Sequence, residues 1–232
     1  MSGSTPILEL IAAQPDTVAN HLPPVPLDLE LMPRACALIE TRDASQAAEF
    51  ADLCCGMLPI QHGRVRFLGR DWADTPNEQA SAMRGRIGRV HRRGTWIGYL
   101  GTDVNILLSQ LHHARCPEAM LRDSAAELSR SFGLPGLPLT RPDALTAGDL
   151  VRAACVRAFI GQPSLLLLES PEQERSADLV RSLLDALAAA HDRQAASIWL
   201  TRGDAVWGDR SFPATIRLRL TDRGLTPVRP PR

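Results

Sequence analysis

Side chains that could do chemistry are sparse in this sequence. His112, His113 and Cys116 could begin a metal site, but adjacent histidines on a helix point in different directions and no second pair completes a set of ligands, so a solvated helix face is expected. Cys54 and Cys55 invite a redox reading. Neighbouring cysteines on a helix do not bridge without strain, however, and packing in the core is the expectation. Arg84, Arg86, Arg89, Arg92 and Arg93, with His91, form the one basic concentration; it could meet a phosphate-bearing ligand or an acidic partner, against the plainer reading of a solvated charged edge. No serine- or histidine-based hydrolytic motif is present. All 26 basic side chains are arginine, and the chain has no lysine.

The elements that must position these groups follow from periodicity. Ile7–Gln14 alternates as a strand, and Pro26–Glu40 reads as two more strands bent near Pro33 and Arg34. Ser45–Leu58 carries Phe50, Leu53, Cys54, Met57 and Leu58 at helical spacing, with Pro59 as its expected end. Gly63–Arg70 and Arg86–Val90 read as strands flanking a short helix over Gln79–Arg84. From Asp103 to Phe132 two helices are expected, the first with Val104, Leu107, Leu108 and Leu111 on its inner face, the second opened by Pro117 and closed at Gly133. Asp149–Ile160 reads as a helix, and SLLLLES (Ser164–Ser170) is a continuous apolar run of the kind that forms a strand buried on both faces. A helix over Ser176–His191 and a strand over Ala196–Thr201 complete a strand–helix–strand unit, and two alternating segments around Asp222-Arg223-Gly224 read as a hairpin. The fold class is α/β.

Composition bounds the function. The 26 basic and 26 acidic residues cancel, so no overall field draws the chain toward nucleic acid or an anionic bilayer. No apolar run approaches the roughly 20 residues that cross a membrane, and the N-terminus lacks a basic-then-apolar signal, so a cytoplasmic protein is expected. Five irregularly spaced cysteines fit reduced core thiols.

Two stretches in the right order carry a family resemblance. CCGMLPIQHGRVRFLGRDW (Cys54–Trp72) resembles the segment after the phosphate loop of ABC transporter ATPase domains, and LTAGDLVRAACVRAFIGQPSLLLLESP (Leu145–Pro171) looks like their signature motif, its helix and the Walker B strand. The resemblance covers almost the whole chain. It implies a P-loop-NTPase-like core with a parallel sheet, an N-terminal antiparallel β subdomain, and an inserted helical subdomain over 94–148 between core segments 1–93 and 149–232.

It also implies where ATP and magnesium would be held, and this sequence departs from the pattern at each place. Thr41-Arg42-Asp43-Ala44-Ser45-Gln46-Ala47-Ala48 lies over G-x-x-G-x-G-K-[ST]: Thr41, Ala44 and Gln46 replace glycines, Ala47 the lysine and Ala48 the hydroxyl. Glu169 stands at the Walker B acid and is a weak metal candidate, while Ser170 replaces the catalytic glutamate that polarises water. Arg202 replaces the switch histidine, and Arg92 or His91 the glutamine that links magnesium to the helical subdomain. The signature reads Leu145-Thr146-Ala147-Gly148-Asp149, with one glycine crowded out and a negative charge added. No aromatic residue lies in 14–40 to stack on adenine.

The expectation is therefore a degenerate, non-hydrolysing ABC subunit with no catalytic residue and no cofactor, ATP and magnesium entering only if residual binding survives. Its partners would be a transmembrane permease, met near Trp96, Ile97, Tyr99 and Leu100, and an intact ABC ATPase or a second copy of itself. Membrane contact would run only through the permease, with no nucleic acid. Two other readings stand beside it: a soluble scaffold or regulatory protein with this fold and no permease, and an atypical ATPase in which Arg42 and Glu169 take over lost roles.

Overall fold

Alternation of apolar and polar residues builds one sheet and continuous apolar runs build the other. A computed structural model describes residues 4–16, 21–92, 94–113, 116–171, 177–202, 204–207, 209 and 212–228; Arg93, Ser176 and Gly203 lie outside the described residues. β1 (Leu8–Pro15), β2 (Leu27–Leu31), β4 (Ile60–Phe67) and the short β5 (Arg70–Asp71) form an antiparallel sheet in the order β2-β1-β4-β5. In β2 the leucines at 27, 29 and 31 are buried while Asp28 and Glu30 face out, the period of two that one-sided burial requires.

The larger sheet runs β10-β9-β3-β8-β7-β6. β3 (Cys36–Glu40), β6 (Ile87–Val90), β7 (Leu165–Glu169), β8 (Ala196–Thr201) and β9 (Ile216–Thr221) are parallel, and β10 (Gly224–Pro227) closes the edge as an antiparallel hairpin. Every residue of β7 and β8 is buried, because both faces of this sheet are covered. On one face Leu165, Leu167, Ile198, Leu200 and Ile39 pack with α1 (Ala44–Cys54) and with the inner side of the antiparallel sheet. On the other, Leu166, Leu168, Trp199 and Leu38 pack under α3 (Thr102–His113), α4 (Glu118–Ser131), α5 (Ala147–Phe159) and α6 (Ala177–Asp192). α2 (Asn77–Arg84) and a one-turn α7 (Asp204–Trp207) complete the chain.

Some boundaries differ from the sequence reading for identifiable reasons. α1 stops at Cys54, not Leu58. Gly56 takes φ of 62°, its N–H bonds to Leu53 O at 3.0 Å and that of Met57 to Asp52 O at 2.9 Å, a Schellman closure that leaves Met57 64% exposed. A Cβ at position 56 would come 2.3 Å from the Trp72 ring. The carbonyls freed there are taken by Trp72 Nε1 (to Cys54 O, 3.2 Å) and by the Arg84 guanidinium, which lies over the same ring and donates to Cys55 O and Gly56 O at 3.0 Å each. In α3 the buried side holds Ile106 and Leu107, with Leu108 42% exposed. The face is turned from the expected one because Asn105 points inward, binding Ile97 N–H (2.8 Å), Ile97 O (3.1 Å) and Gly101 O (3.0 Å). Cys116 is exposed; only Cys36, Cys54, Cys55 and Cys155 are core thiols.

Candidate functional site at the junction of strand β3 and helix α1

The resemblance places a phosphate loop between β3 and α1. Residues Ala44 to Ala48 are already helical, which leaves only Thr41, Arg42 and Asp43 as the connection. Thr41 is buried and continues the β3–β8 ladder, its N–H bonded to Thr201 O at 2.9 Å. Asp43 is the N-cap: Oδ1 accepts from Gln46 N–H at 2.8 Å, and Gln46 Oε1 accepts from Arg42 N–H at 2.8 Å, a reciprocal arrangement that uses backbone donors of the helix start. The Gln46 N–H and then the Arg42 guanidinium, 3.0 Å away, hold the Asp43 carboxyl below the usual carboxylate range. A carboxylate of the chain itself thus sits where a helix N-terminus attracts an anion. Arg42 spends its charge on Asp43 and, at 3.9 Å, on Asp222.

The second half of the site is set by strand parity. β6 and β7 pair in parallel with Arg89 opposite Leu167, so Arg89 and Glu169 emerge on the same face of the sheet, the one covered by α1. There the Arg89 guanidinium spans three groups: Nε donates to Glu169 Oε1 at 2.6 Å, Nη1 to Asp52 Oδ1 at 2.5 Å, and Nη2 to Ala48 O at 2.9 Å. The side chains of Arg89 and Glu169 are 12% and 4% exposed. Burial works against the charge on Arg89, but Glu169 and Asp52 outweigh it and raise its pKa. Glu169 Oε2 accepts from Arg92 N–H at 3.4 Å, and His91 Nδ1 lies 3.6 Å from Oε1. Burial, then repulsion from Arg89 and Arg157, pushes His91 down to about 4, so it is neutral at neutral pH. Ala44, Ser45, Ala48, His91, Arg92 and Glu169 line an open cleft of about 400 Å³ above this network.

These residues do not fit a magnesium-bound phosphate chain. Ala44 and Ala48 line the cleft where the resemblance implies a glycine and a hydroxyl, Ala47, at the lysine position, is buried in the core, and the acid that would face the metal is bound by arginine. Ser170, at φ of 48°, donates its hydroxyl to Leu200 O at 3.1 Å, with its own N–H on the same carbonyl at 2.8 Å. Arg202 is exposed at the end of β8 and Arg92 at the cleft rim. The LTAGD segment forms the start of α5: Thr146 is the N-cap, accepting from Asp149 N–H at 3.1 Å and donating to its carboxylate at 2.8 Å, while Leu145 precedes the cap and Ala147 and Gly148 open the helix.

The basic run divides: Arg84 closes α1 and Arg89 is nearly buried, whereas Arg86, bonded to Ser164 Oγ at 3.0 Å, and Arg92 are exposed, and Arg93 lies outside the described residues. Sequence reasoning missed Asp52 altogether and misplaced Arg89; its one signal was an arginine inside the otherwise apolar strand IGRV. In the stretch 96–100, Trp96 lies under the Arg157 guanidinium at 4.5 Å and Ile97 is held by Asn105, leaving Tyr99 as the large side chain strongly exposed, at 77%. Among the described residues no cluster of His, Cys, Asp and Glu could hold a metal ion, and no helix is long and apolar enough to cross a membrane.

Solved structures identify the fold. The chain superposes on an ATP-binding subunit of an ABC transporter with a TM-score of 0.80 at 15% identity, covering 94% of this chain and 88% of that one. On the cassette MJ0796, solved as a dimer in a post-hydrolysis state with ADP and Pi, it gives 0.78 at 16% identity, covering 94% and 96%. The fold is that of the ATP-binding cassette. In sequence the chain is similar to the lipoprotein-releasing system ATP-binding protein LolD of Oleidesulfovibrio alaskensis (32% identical, 53% of this chain and 54% of LolD). It is also similar to the phosphonates import ATP-binding protein PhnC 2 of Rhodopseudomonas palustris (26%, 54% and 49%) and to the molybdenum import ATP-binding protein ModC of Bordetella pertussis (23%, 72% and 44%). The chain spans about half the length of the curated relatives it matches. No family model matches it. The resemblance to ABC transporter ATP-binding subunits thus rests on fold and on these relatives together.

Proposed function

We propose that this chain is a non-hydrolysing member of an ABC-type transport complex, a cytoplasmic subunit that braces or regulates an assembly whose ATP is held elsewhere. The observation that carries this reading is the commitment of Glu169 to Arg89, joined by the capping of α1 by Asp43: both poles of a magnesium-phosphate site are filled by groups of the chain. Its partners are a transmembrane permease, through which alone it meets the membrane, and an intact ABC ATPase or a second copy of itself. Segments 1–93 and 149–232 form the core with its β subdomain, and 94–148 the helical subdomain. The LTAGD helix start, exposed and self-capped, is the surface it would offer to a partner's nucleotide.

A second reading, a scaffold with no permease, draws support from the segment 96–100, which is tied down by Arg157 and Asn105 instead of forming an open apolar groove.

Phosphate release from millimolar Mg·ATP tests the first reading, with an intact ABC ATPase as control. No turnover above the protein-free rate is expected; turnover abolished by Glu169→Gln would instead establish an atypical ATPase. Cofractionation with a permease separates the transport subunit from the scaffold.

A further inference from the structure

We propose that the outer face of the antiparallel sheet is a contact surface for a second copy of this chain, docked face to face about a two-fold axis parallel to the strands. The inference goes beyond the functional reading and does not rest on it, because this face is the side of the sheet turned away from the core. Strand parity defines the face. Leu10, Leu29 and Val65 share one row across β1, β2 and β4 and are buried, so Glu9, Glu30 and Arg66 in the neighbouring row project to the opposite side. There Glu9 lies directly opposite Glu30 on one flank and Arg66 on the other. The row thus reads acid, acid, base. The next outward row keeps the order, with Asp28 on β2, bonded to Ala12 N–H at 2.7 Å, then Ile11 on β1 opposite Arg64 on β4.

Glu9 and Glu30 are like charges directly opposed, which costs a strand pair stability unless a cation is near. Among the described residues neither makes an ion pair, and nor does Arg66, although Glu9 is its register partner. Arg64, by contrast, is held by Asp71 at 3.1 Å and Asp74 at 3.4 Å. A two-fold axis running between β1 and β4 lays each copy's β1 over the other's β4. Glu9 of each copy then faces Arg66 of the other, beside Glu30, and both contacts form at once. An in-plane axis perpendicular to the strands would set acid against acid, so charge fixes the orientation. Near the centre Ile11, 40% exposed, meets Arg64 of the second copy, whose methylene stem covers apolar surface. A face complementary to itself selects a copy of the same chain; a uniformly acidic or basic partner would be repelled by half of it.

The test is analytical ultracentrifugation of the full chain at low ionic strength and at about 1 M NaCl, where the screening length shrinks to about 3 Å. Wild type is expected to be a dimer at low salt and a monomer at high salt. Glu9→Arg and Arg66→Glu are each expected to be monomeric in both, with unchanged circular dichroism. An equimolar mixture of the two variants, and the double variant E9R/R66E, are expected to recover the dimer, because each restores opposite charges at both contacts. A monomeric wild type at low salt, a dimer indifferent to salt or to both single substitutions, or a mixture that stays monomeric overturns the proposal. Where a single variant does not fold, the double variant decides: a folded E9R/R66E that is monomeric beside a dimeric wild type overturns it as well.

Discussion

Glu169 and Arg89 show how one ion pair can define a site by closing it. Their side chains are nearly buried, so removing one partner leaves the other charged and poorly solvated. Glu169→Gln is expected to lower unfolding stability by about 3 kcal/mol, read from the urea midpoint at unchanged slope. Cysteine reactivity gives a second check at this scale. Burial drives the Cys36 and Cys55 thiols up to about 11 and that of Cys155 up to about 12, and Cys54 is raised well above its ordinary value. Only Cys116 is exposed. A thiol reagent at neutral pH should therefore modify Cys116 alone in the native chain, and the other four only on unfolding. Rapid native labelling of Cys54 or Cys55 would contradict the packing described here.

Helix ends carry the next level of the account. α1 is fixed at its start by Asp43 and at its end by Gly56, Trp72 and Arg84; α5 is fixed at its start by Thr146. Thr146→Ala is expected to cost about 1 kcal/mol, the ordinary worth of a cap. Arg84→Ala should cost about 1–2 kcal/mol, because it strips two hydrogen bonds from carbonyls at a helix C-terminus and the cation from the Trp72 face. These elements also show where sequence reasoning succeeds. The continuous run LLLL and the alternating β2 announce two-sided and one-sided burial by themselves, and the order of the longer elements was legible, the two-residue β5 and the one-turn α7 excepted. What escaped was register and local closure. Pro59 looked like the end of α1, whereas the cheaper stop was the left-handed Gly56. Arg89 looked like surface because its neighbour across the sheet, Leu167, is fixed by a strand pairing that no local pattern reveals. The positions over which the resemblance lays a phosphate loop could be counted from the sequence. The helix from Ser45 was legible too, but not that Asp43 caps it, leaving three residues to join β3 to α1.

For the molecule as a whole, acid sensitivity follows from the charges gathered around α1. His91 is held down to about 4 in the fold against an ordinary value of 6.5. Between these values the unfolded chain binds a proton that the native chain refuses, so stability falls as pH drops from about 6.5 toward 4. His191, lowered chiefly by burial, acts in the same direction. Asp43, lowered by the Gln46 N–H, contributes stability that disappears as pH falls through its folded pKa. Denaturant midpoints measured across this range should rise with pH, and His91→Gln should flatten the slope; a slope unchanged in that variant would place the proton uptake elsewhere. The same region bears on the proposed function, in which Asp43 and Arg89 fill the place where the resemblance puts a magnesium nucleotide. The most direct measurement is a calorimetric titration of the purified protein with ATP and ADP, each with magnesium, into the millimolar range beside an intact cassette. The account predicts no saturable heat for this chain, and a saturable isotherm lost on mutation of Arg42 or Glu169 would contradict it.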